Sequence, residues 1–212
     1  MQGRLRRMWA PAACAAAAAV TLAGCASSGG GKGTIKGASD GGATSASPSA
    51  GPSAAAIKLP SDFTIDFAGW TRTGNGPKDA VLADAQNFIR SVRAAEAYHD
   101  RNGPFRKYSD GAAATRVSQD IASMSSYKGG VTITGTDRYS QNKVEVTGTR
   151  AAVTYCDNQS GTYSKVMRTG AVLRTSASPK DYLRYANTLQ KDADGVWKTM
   201  TIQVTEDASC RS

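Results

Sequence analysis

Apolar positions fall into three regimes along the chain. A short apolar run at residues 8–23 follows a basic start, residues 26–56 hold Ile35 as their one large apolar side chain, and from Lys58 onward apolar residues recur at regular spacings. In that last regime Phe63, Ile65 and Phe67 alternate with polar residues, the period of a half-buried strand, and Trp70 closes the segment. After Gly74-Asn75-Gly76, Pro77 suits the first helical position and Asp79 the first turn, where a carboxylate complements the helix dipole. Leu82, Ala85, Phe88, Ile89, Val92 and Ala95 then follow at spacings of three and four, which predicts a helix with one apolar face. Lys78, Asp84, Arg90 and Arg93 are expected to point outward, and the helix to end near Asp100, ahead of Asn102-Gly103-Pro104.

A second helix is predicted over residues 112–124, with Ala113, Val117, Ile121 and Met124 as its buried stripe and Gly129-Gly130 as its stop. From Val131 the period changes to that of strands, with β-branched residues in short runs: Val131-Thr132-Ile133-Thr134, Lys143-Val144-Glu145-Val146-Thr147 and Ala152-Val153-Thr154-Tyr155-Cys156. Further strands are expected at residues 166–174, 182–191 and 196–205. Asp194-Gly195 would make the last pair a tight hairpin whose two central residues take positive φ. In the final strand Met200, Ile202 and Val204 should line one face and Thr199, Thr201 and Gln203 the other. Helices followed by a run of strands give an α+β fold, a curved antiparallel meander with the long helix over its concave face.

The first regime changes the picture from a bare domain to an exported one. Arg4, Arg6 and Arg7 precede the apolar run, which is interrupted by Pro11 and is shorter than the about 20 residues that span a bilayer. It ends in Leu22-Ala23-Gly24-Cys25, which resembles the lipobox of bacterial lipoproteins. That resemblance implies that residues 1–24 are a removed signal, taking Cys14 with them. It also implies that Cys25 is acylated as the first residue of the mature chain, that the bilayer is its partner, and that the protein sits on the outer face of the cytoplasmic membrane. Arg6-Arg7 leaves both the general secretory and the twin-arginine routes open. Residues 25–57 are then the lipidated cysteine and a linker, since 25 of the 31 positions at 26–56 are Ala, Ser, Gly or Pro and cannot bury enough to fold. A flexible tether of that length spans roughly 30 Å r.m.s.. The folded domain is placed at residues 58–212.

Charge excludes one class of partner. The precursor carries 26 basic against 17 acidic residues, and the positive excess is scattered with carboxylates interleaved, so no nucleic-acid surface is expected. Gly29-Gly30-Gly31-Lys32-Gly33-Thr34 has a phosphate loop's look, but glycine follows the lysine and no strand precedes it. Asp192 and Asp194 lack the other ligands of a calcium loop and suit a turn. A single histidine and distant cysteines supply no zinc set, and no metal or cofactor is expected.

A long amphipathic helix, a second helix and a curved meander, with Gly195-Val196-Trp197-Lys198 opening the last strand, resemble the nuclear transport factor 2-like (cystatin-like) superfamily. Lipoproteins of high-GC Gram-positive bacteria share this layout and a Cys-Asp near the third strand, here Cys156-Asp157. The resemblance covers about residues 60–210 and implies a cone between helix and sheet. The superfamily includes ketosteroid isomerases, scytalone dehydratase and polyketide cyclases, which place acid, base and tyrosine groups inside that cone. Tyr98, His99, Tyr155 and Asp157 are the candidate pocket-lining residues, with Asp100 beside them, but none falls in a catalytic motif of the family and no catalytic residue is assigned. The cone is expected to be mainly apolar, with Phe88, Ile89 and Val92 facing Val153, Tyr155 and the stripe of the last strand. Cys156 and Cys210 are the cysteines of the folded segment, and export predicts that they pair. Three function classes stay open: a tethered noncatalytic domain that binds a small ligand or a protein, a cone-pocket enzyme acting on a small hydrophobic substrate, and an accessory factor of envelope assembly.

Overall fold

A computed structural model describes residues 57–211. The signal, Cys25 and most of the linker lie outside the described residues. Strand β1 (Phe63–Gly69) leads into helix α1 (Gly76–Tyr98) and helix α2 (Gly111–Ser126). Strands β2 (Val131–Thr147), β3 (Arg150–Val166), β4 (Val172–Leu173), β5 (Tyr182–Lys191) and β6 (Trp197–Glu206) follow. Among the described residues no helix is long and apolar enough to cross a membrane.

The start of α1 is fixed by local chemistry. The Asn75 side chain accepts a hydrogen bond from the Lys78 N–H, and Pro77 occupies the first turn. At the other end His99 takes the left-handed conformation (φ 56°) and closes the helix with its N–H on the Ala95 carbonyl. Asp110 opens α2 in the same way that Asn75 opens α1, here bonding the Gly111 N–H.

The sheet runs β1-β2-β3-β5-β6, with β4 added to β3. From β2 onward the pairs are antiparallel, as the meander requires, but β1 pairs with β2 in parallel, Phe63 beside Gly135 and Ile65 beside Asp137. The sheet is therefore mixed. The reason is the connection: α1 and α2 carry the chain back to the starting end of β1 before β2 begins, which is a crossover and not a hairpin.

The expected strands at 131–134 and 143–147 are two ends of the one long strand β2. Gly135, Asp137, Ser140 and Asn142 between them look like turn signals, yet they lie in a strand that bends at two register shifts, Thr136/Arg138 and Ser140/Lys143. Gly135 permits the bend. Its φ is 101°, and a Cβ there would stand 2.1 Å from the Gly161 carbonyl oxygen on β3. The strand expected at 166–174 shrinks to Val172–Leu173, because Gly170 closes a turn with its N–H on the Val166 carbonyl. Between β5 and β6 only Gly195 has positive φ (86°), and Asp192 spans the loop by accepting from the Val196 N–H. That is a longer loop than the two-residue turn expected.

A register shift at Thr188/Leu189 lets β6 carry one residue more than β5, so Thr199 turns inward and is fully buried beside Leu189 instead of lining the outer face. Ile202 stays on the inner side, against a second core. Helix α1 lies between two apolar clusters. Leu82, Ala85 and Ile89 meet Val144, Val153, Leu189 and Trp197 of the sheet, and Phe88 and Val92 pack with Phe105, Val117, Ile121 and Ile202 on the α2 side. Of the three helical residues expected to face Val153, Tyr155 and the stripe of the last strand, Ile89 meets Val153 and Tyr155, while Phe88 and Val92 meet Ile202 of the stripe.

Cys156 and Cys210 form a disulfide, both buried, with Cα atoms 5.1 Å apart. Beside it Arg184 Nε donates to Asp207 (2.6 Å) and its Nη2 to Ser209 (2.9 Å) and Gln141 (3.1 Å), lacing the C-terminal turn onto the sheet. The Arg184 hydrogen bond, then those from Ser209, hold the Asp207 carboxyl down at about 2, from 3.8. A depressed folded pKa contributes stability that is present above the ordinary carboxylate range and lost as pH falls through about 2. NMR titration should therefore place Asp207 near 2 and move it up toward the ordinary range in Arg184→Gln. An Asp207 midpoint that does not respond to that substitution would show the pair is not formed.

Candidate functional site

The side chain that organises the space between helix and sheet is Arg93. It is 5% exposed, although an arginine on an amphipathic helix is expected in solvent. Its position explains why: Ala85, Ile89, Arg93 and Ala97 follow at intervals of four on the face that meets the sheet. Buried carboxylates surround its guanidinium from three elements. Nη1 lies 2.7 Å from Glu96 one turn along α1, Nε 2.6 Å from Asp137 of β2, and Nη2 3.0 Å from Asp157 of β3. The carboxylates are 1%, 0% and 0% exposed respectively. The expectation of a mainly apolar cone is corrected here: its apolar end is real, but an ion cluster is built into the other part.

Neighbouring polar groups complete the cluster. The Tyr139 hydroxyl accepts from Arg93 Nε (3.1 Å) and donates to Asp137 (3.2 Å). Thr162 donates to the other Asp137 oxygen, and Gln159 to Asp157 (2.6 Å). Burial opposes the charge on Arg93, but Asp137, Tyr139, Glu96 and Asp157 outweigh it and hold its pKa well above the ordinary value. With the fork of the guanidinium committed to three carboxylates, Arg93 is not a receptor for an anionic ligand. Among the described residues no set of three His, Cys, Asp or Glu side chains is placed to hold a metal ion.

Next to the cluster lies a layer of aromatic rings. Phe67 stacks on Tyr139 (centroids 5.2 Å apart), Tyr139 meets Tyr155 edge-on (5.9 Å), Tyr155 stacks on Tyr185 (5.0 Å), and Trp70 tilts against Tyr155 (5.4 Å). Tyr139 and Tyr155 are buried, while Phe67, Trp70 and Tyr185 are half-buried and form the rim. Burial pushes both buried phenols well above their ordinary range, against Arg93 and helped by Asp157 and Asp137 at Tyr139, and helped by Tyr185 and then Asp157 at Tyr155, so they remain hydrogen-bond donors at physiological pH. At the rim Arg90 lies over the Phe67 ring, 4.6 Å from its centroid, and burial lowers its pKa. The Asn187 amide donates to the Tyr155 hydroxyl (3.3 Å). Two buried polar atoms in this layer, Trp70 Nε1 and Asn187 Oδ1, have no hydrogen-bond partner among the described residues.

Of the candidate residues read from the sequence, Tyr155 and Asp157 stand in this site, on the inner face of β3 with Val153. Tyr98 and His99 do not. Tyr98 is 56% exposed, and His99 caps α1 with Nε2 donating to the Val131 carbonyl (2.8 Å) and Nδ1 beside Ser125 (3.0 Å). His99 thus ties α1, α2 and β2 together. Asp100 is exposed beyond the helix end. Arg93, Glu96, Asp137, Tyr139, Trp70 and Asn187 are the site residues that sequence reading missed. A signal existed for some of them: Arg93 and Glu96 fall on the apolar helical face by spacing, and Asp137 and Tyr139 alternate with each other as Tyr155 and Asp157 do. Asp84, read as outward, is partly buried and accepts from the Trp197 N–H (2.9 Å); burial raises its pKa.

No family model matches the chain, and no curated protein matches it in sequence. Several solved structures are similar to about three fifths of this chain. A protein of the NTF2-like family from Streptomyces avermitilis shares 12% identity at a TM-score of 0.41, over 62% of this chain and 99% of its own. A ketosteroid isomerase-like protein from Erwinia carotovora atroseptica gives 18%, 0.42, 63% and 98%. A protein from Catenulispora acidiphila gives 9%, 0.43, 64% and 97%. At these identities and TM-scores the likeness carries no argument about this chain. The layout that the superfamily resemblance implied, two helices on a curved sheet, is the one the structure has.

Proposed function

We propose that this chain is a lipoprotein, anchored by acylated Cys25 at the outer face of the cytoplasmic membrane, whose domain binds a small, uncharged, partly aromatic ligand in the cone. The observation that carries the ligand reading is the pair of buried, unpartnered atoms within the aromatic layer, Trp70 Nε1 as donor and Asn187 Oδ1 as acceptor. Each such orphan costs about 1–3 kcal/mol, and a ligand with one acceptor and one donor relieves both. The half-buried rings of the rim supply apolar contact, and the guanidinium of Arg93 inside is already committed to carboxylates. The anchor is supported by the order of basic start, apolar run and Leu22-Ala23-Gly24-Cys25.

Uncharged 1-naphthol, which has an aromatic body and one hydroxyl, is a suitable probe, with 1-naphthoate as its anionic counterpart. Tryptophan fluorescence should show saturable binding of naphthol, and Asn187→Leu should weaken it about tenfold, or 1.4 kcal/mol. Equal binding of naphthoate, or an Asn187→Leu variant that binds as the parent does, would remove the reading.

Catalysis is the second reading, and one observation favours it. The Tyr139 hydroxyl accepts from Arg93 and donates to Asp137, so a phenol, a cation and a carboxylate share one buried hydrogen-bonded chain beside the aromatic layer. Under that reading Tyr139→Phe retains the ligand but loses turnover. Under the binding reading the ligand leaves the site chemically unchanged.

A further inference from the structure

Among the described residues, large apolar side chains are exposed at Tyr98, Met167 and Val172, at 56%, 53% and 37%. Single exposed apolar residues are ordinary. Tyr98 is far in sequence from Met167 and Val172, yet the three lie at one end of the domain. Tyr98 ends α1, and the next residue, His99, is bonded to Val131 at the start of β2 and to Ser125 near the end of α2. The Met167 N–H donates to the Gly130 carbonyl (3.1 Å). A Cβ on Gly130 would stand 3.3 Å from Met167 Sδ and 3.9 Å from the His99 ring, so sulfur and imidazole flank the same glycine. Val172 is paired with Lys165, just before the turn that holds Met167.

Two further observations concern the same end. Exposed arginines lie within three residues of each apolar one: Arg101 three after Tyr98, Arg168 next to Met167, and Arg174 two after Val172 with its guanidinium over the Tyr163 ring. Of the carboxylates here, Asp62 is paired with Lys165, and Asp100 accepts from the Asn102 N–H. The chain also enters the domain at this end. Leu59 packs with Ala97 and Met124, directly before Tyr98 and Ser125, and exposed Lys58 precedes it. The β5–β6 loop lies at the other end of α1, where Trp197 is bonded to Asp84. Asp84 lies 14 residues before Tyr98 on α1, which sets that contact about 21 Å from the Tyr98 end.

We propose that the end carrying Tyr98, Met167, Val172, Arg101, Arg168 and Arg174 is a membrane-docking face that takes anionic phospholipid headgroups. It rests on the lipid-anchor reading above, and it gives the anchored domain a fixed orientation on the bilayer. Apolar side chains enter the headgroup boundary while the arginines pair with phosphate, and each basic residue near an anionic surface contributes about fivefold to binding. The chain from the anchor arrives on this same face, which keeps it within reach of the lipid.

The test uses the full lipoprotein extracted from membranes. With Cys25 acylated and Cys156 bridged to Cys210, Met167→Cys supplies a single free thiol for an environment-sensitive fluorophore, and Asp194→Cys in the β5–β6 loop supplies the control. The labelled proteins are reconstituted into phosphatidylglycerol or phosphatidylcholine vesicles that contain bromine-labelled acyl chains. Quenching at position 167 in phosphatidylglycerol, little in phosphatidylcholine and none at position 194 is the expected result. Adding Arg168→Gln and Arg174→Gln should lower the docking constant roughly 25-fold. A vesicle-bound protein whose label at 167 is unquenched in phosphatidylglycerol, or quenched alike in both lipids, overturns the docking face and leaves the anchor standing. Protein that does not float with the vesicles overturns the anchor, and the docking face with it.

Discussion

Arg93→Met should destabilise the domain by about 3–5 kcal/mol at neutral pH, a large share of the stability of a domain this size. The substitution keeps the length of the side chain and removes the guanidinium, which leaves Glu96, Asp137 and Asp157, at 1%, 0% and 0% exposure, facing one another without the charge they converge on. Three buried carboxylates left without a cation can shed charge only by taking up protons, so Arg93→Met should lose less stability at low pH than at neutral pH, as long as the rest of the domain stays folded. Adding Glu96→Gln, Asp137→Asn and Asp157→Asn should recover much of the loss at neutral pH, because the cluster is then neutral and still hydrogen-bonded. Urea denaturation across pH checks both parts. An Arg93→Met domain within about 1 kcal/mol of the parent at neutral pH would mean that the cluster is already held by other charges.

Opening the Cys156–Cys210 bridge should cost about 4 kcal/mol in the chain-entropy account, given the 54-residue separation of its ends. Both cysteines are fully buried against Tyr182, so the bridge is also part of a small packed cluster and not a surface clip. The local consequence is on Ala208–Arg211, which would then be held by the partly exposed Arg184–Asp207 pair and the hydrogen bonds of Gln141 and Ser209. Cys156 and Asp157 are neighbours on β3 with side chains on opposite faces, so the bridge stiffens from behind the strand that presents Asp157 to Arg93. The denaturation midpoint should therefore fall in reductant for the parent and be insensitive to reductant in a Cys156→Ala, Cys210→Ala variant. A parent midpoint that reductant does not move, with the thiols shown to be free, would remove the bridge from the account of stability.

The elements were legible where one signal dominated. Helix α1 declared itself by a proline, a first-turn carboxylate and an apolar spacing that agree, and β5 by a run of strand-forming residues ahead of a turn signal. The misreadings share a cause. Gly135, Asp137, Ser140 and Asn142 have turn chemistry, but in β2 they occupy bends of a continuous strand, and whether a glycine ends a strand or curves it depends on what crosses it. Here Gly161 of β3 does. Thr199 was assigned outward by simple alternation, and a register shift against β5 turned it in. Such shifts depend on the partner strand, which local periodicity does not contain.

The site divides in the same way. Spacing put Tyr155 and Asp157 on one strand face, and cysteine count with export gave the disulfide. Residue type assigns Arg93 to solvent, but its position on the helix puts it inside. By itself the sequence determined the α+β order of elements, the extent of α1, the pairing of Cys156 with Cys210 and the inner face of β3, because each follows from near-neighbour periodicity or from counting. Only the tertiary structure decided that β1 pairs in parallel, that the sheet bends at Gly135, and that Glu96, Asp137 and Asp157 meet around one guanidinium. Carboxylates from three elements can stabilise a buried arginine only once the fold has brought them within about 3 Å of it, and no local pattern in the chain encodes that distance.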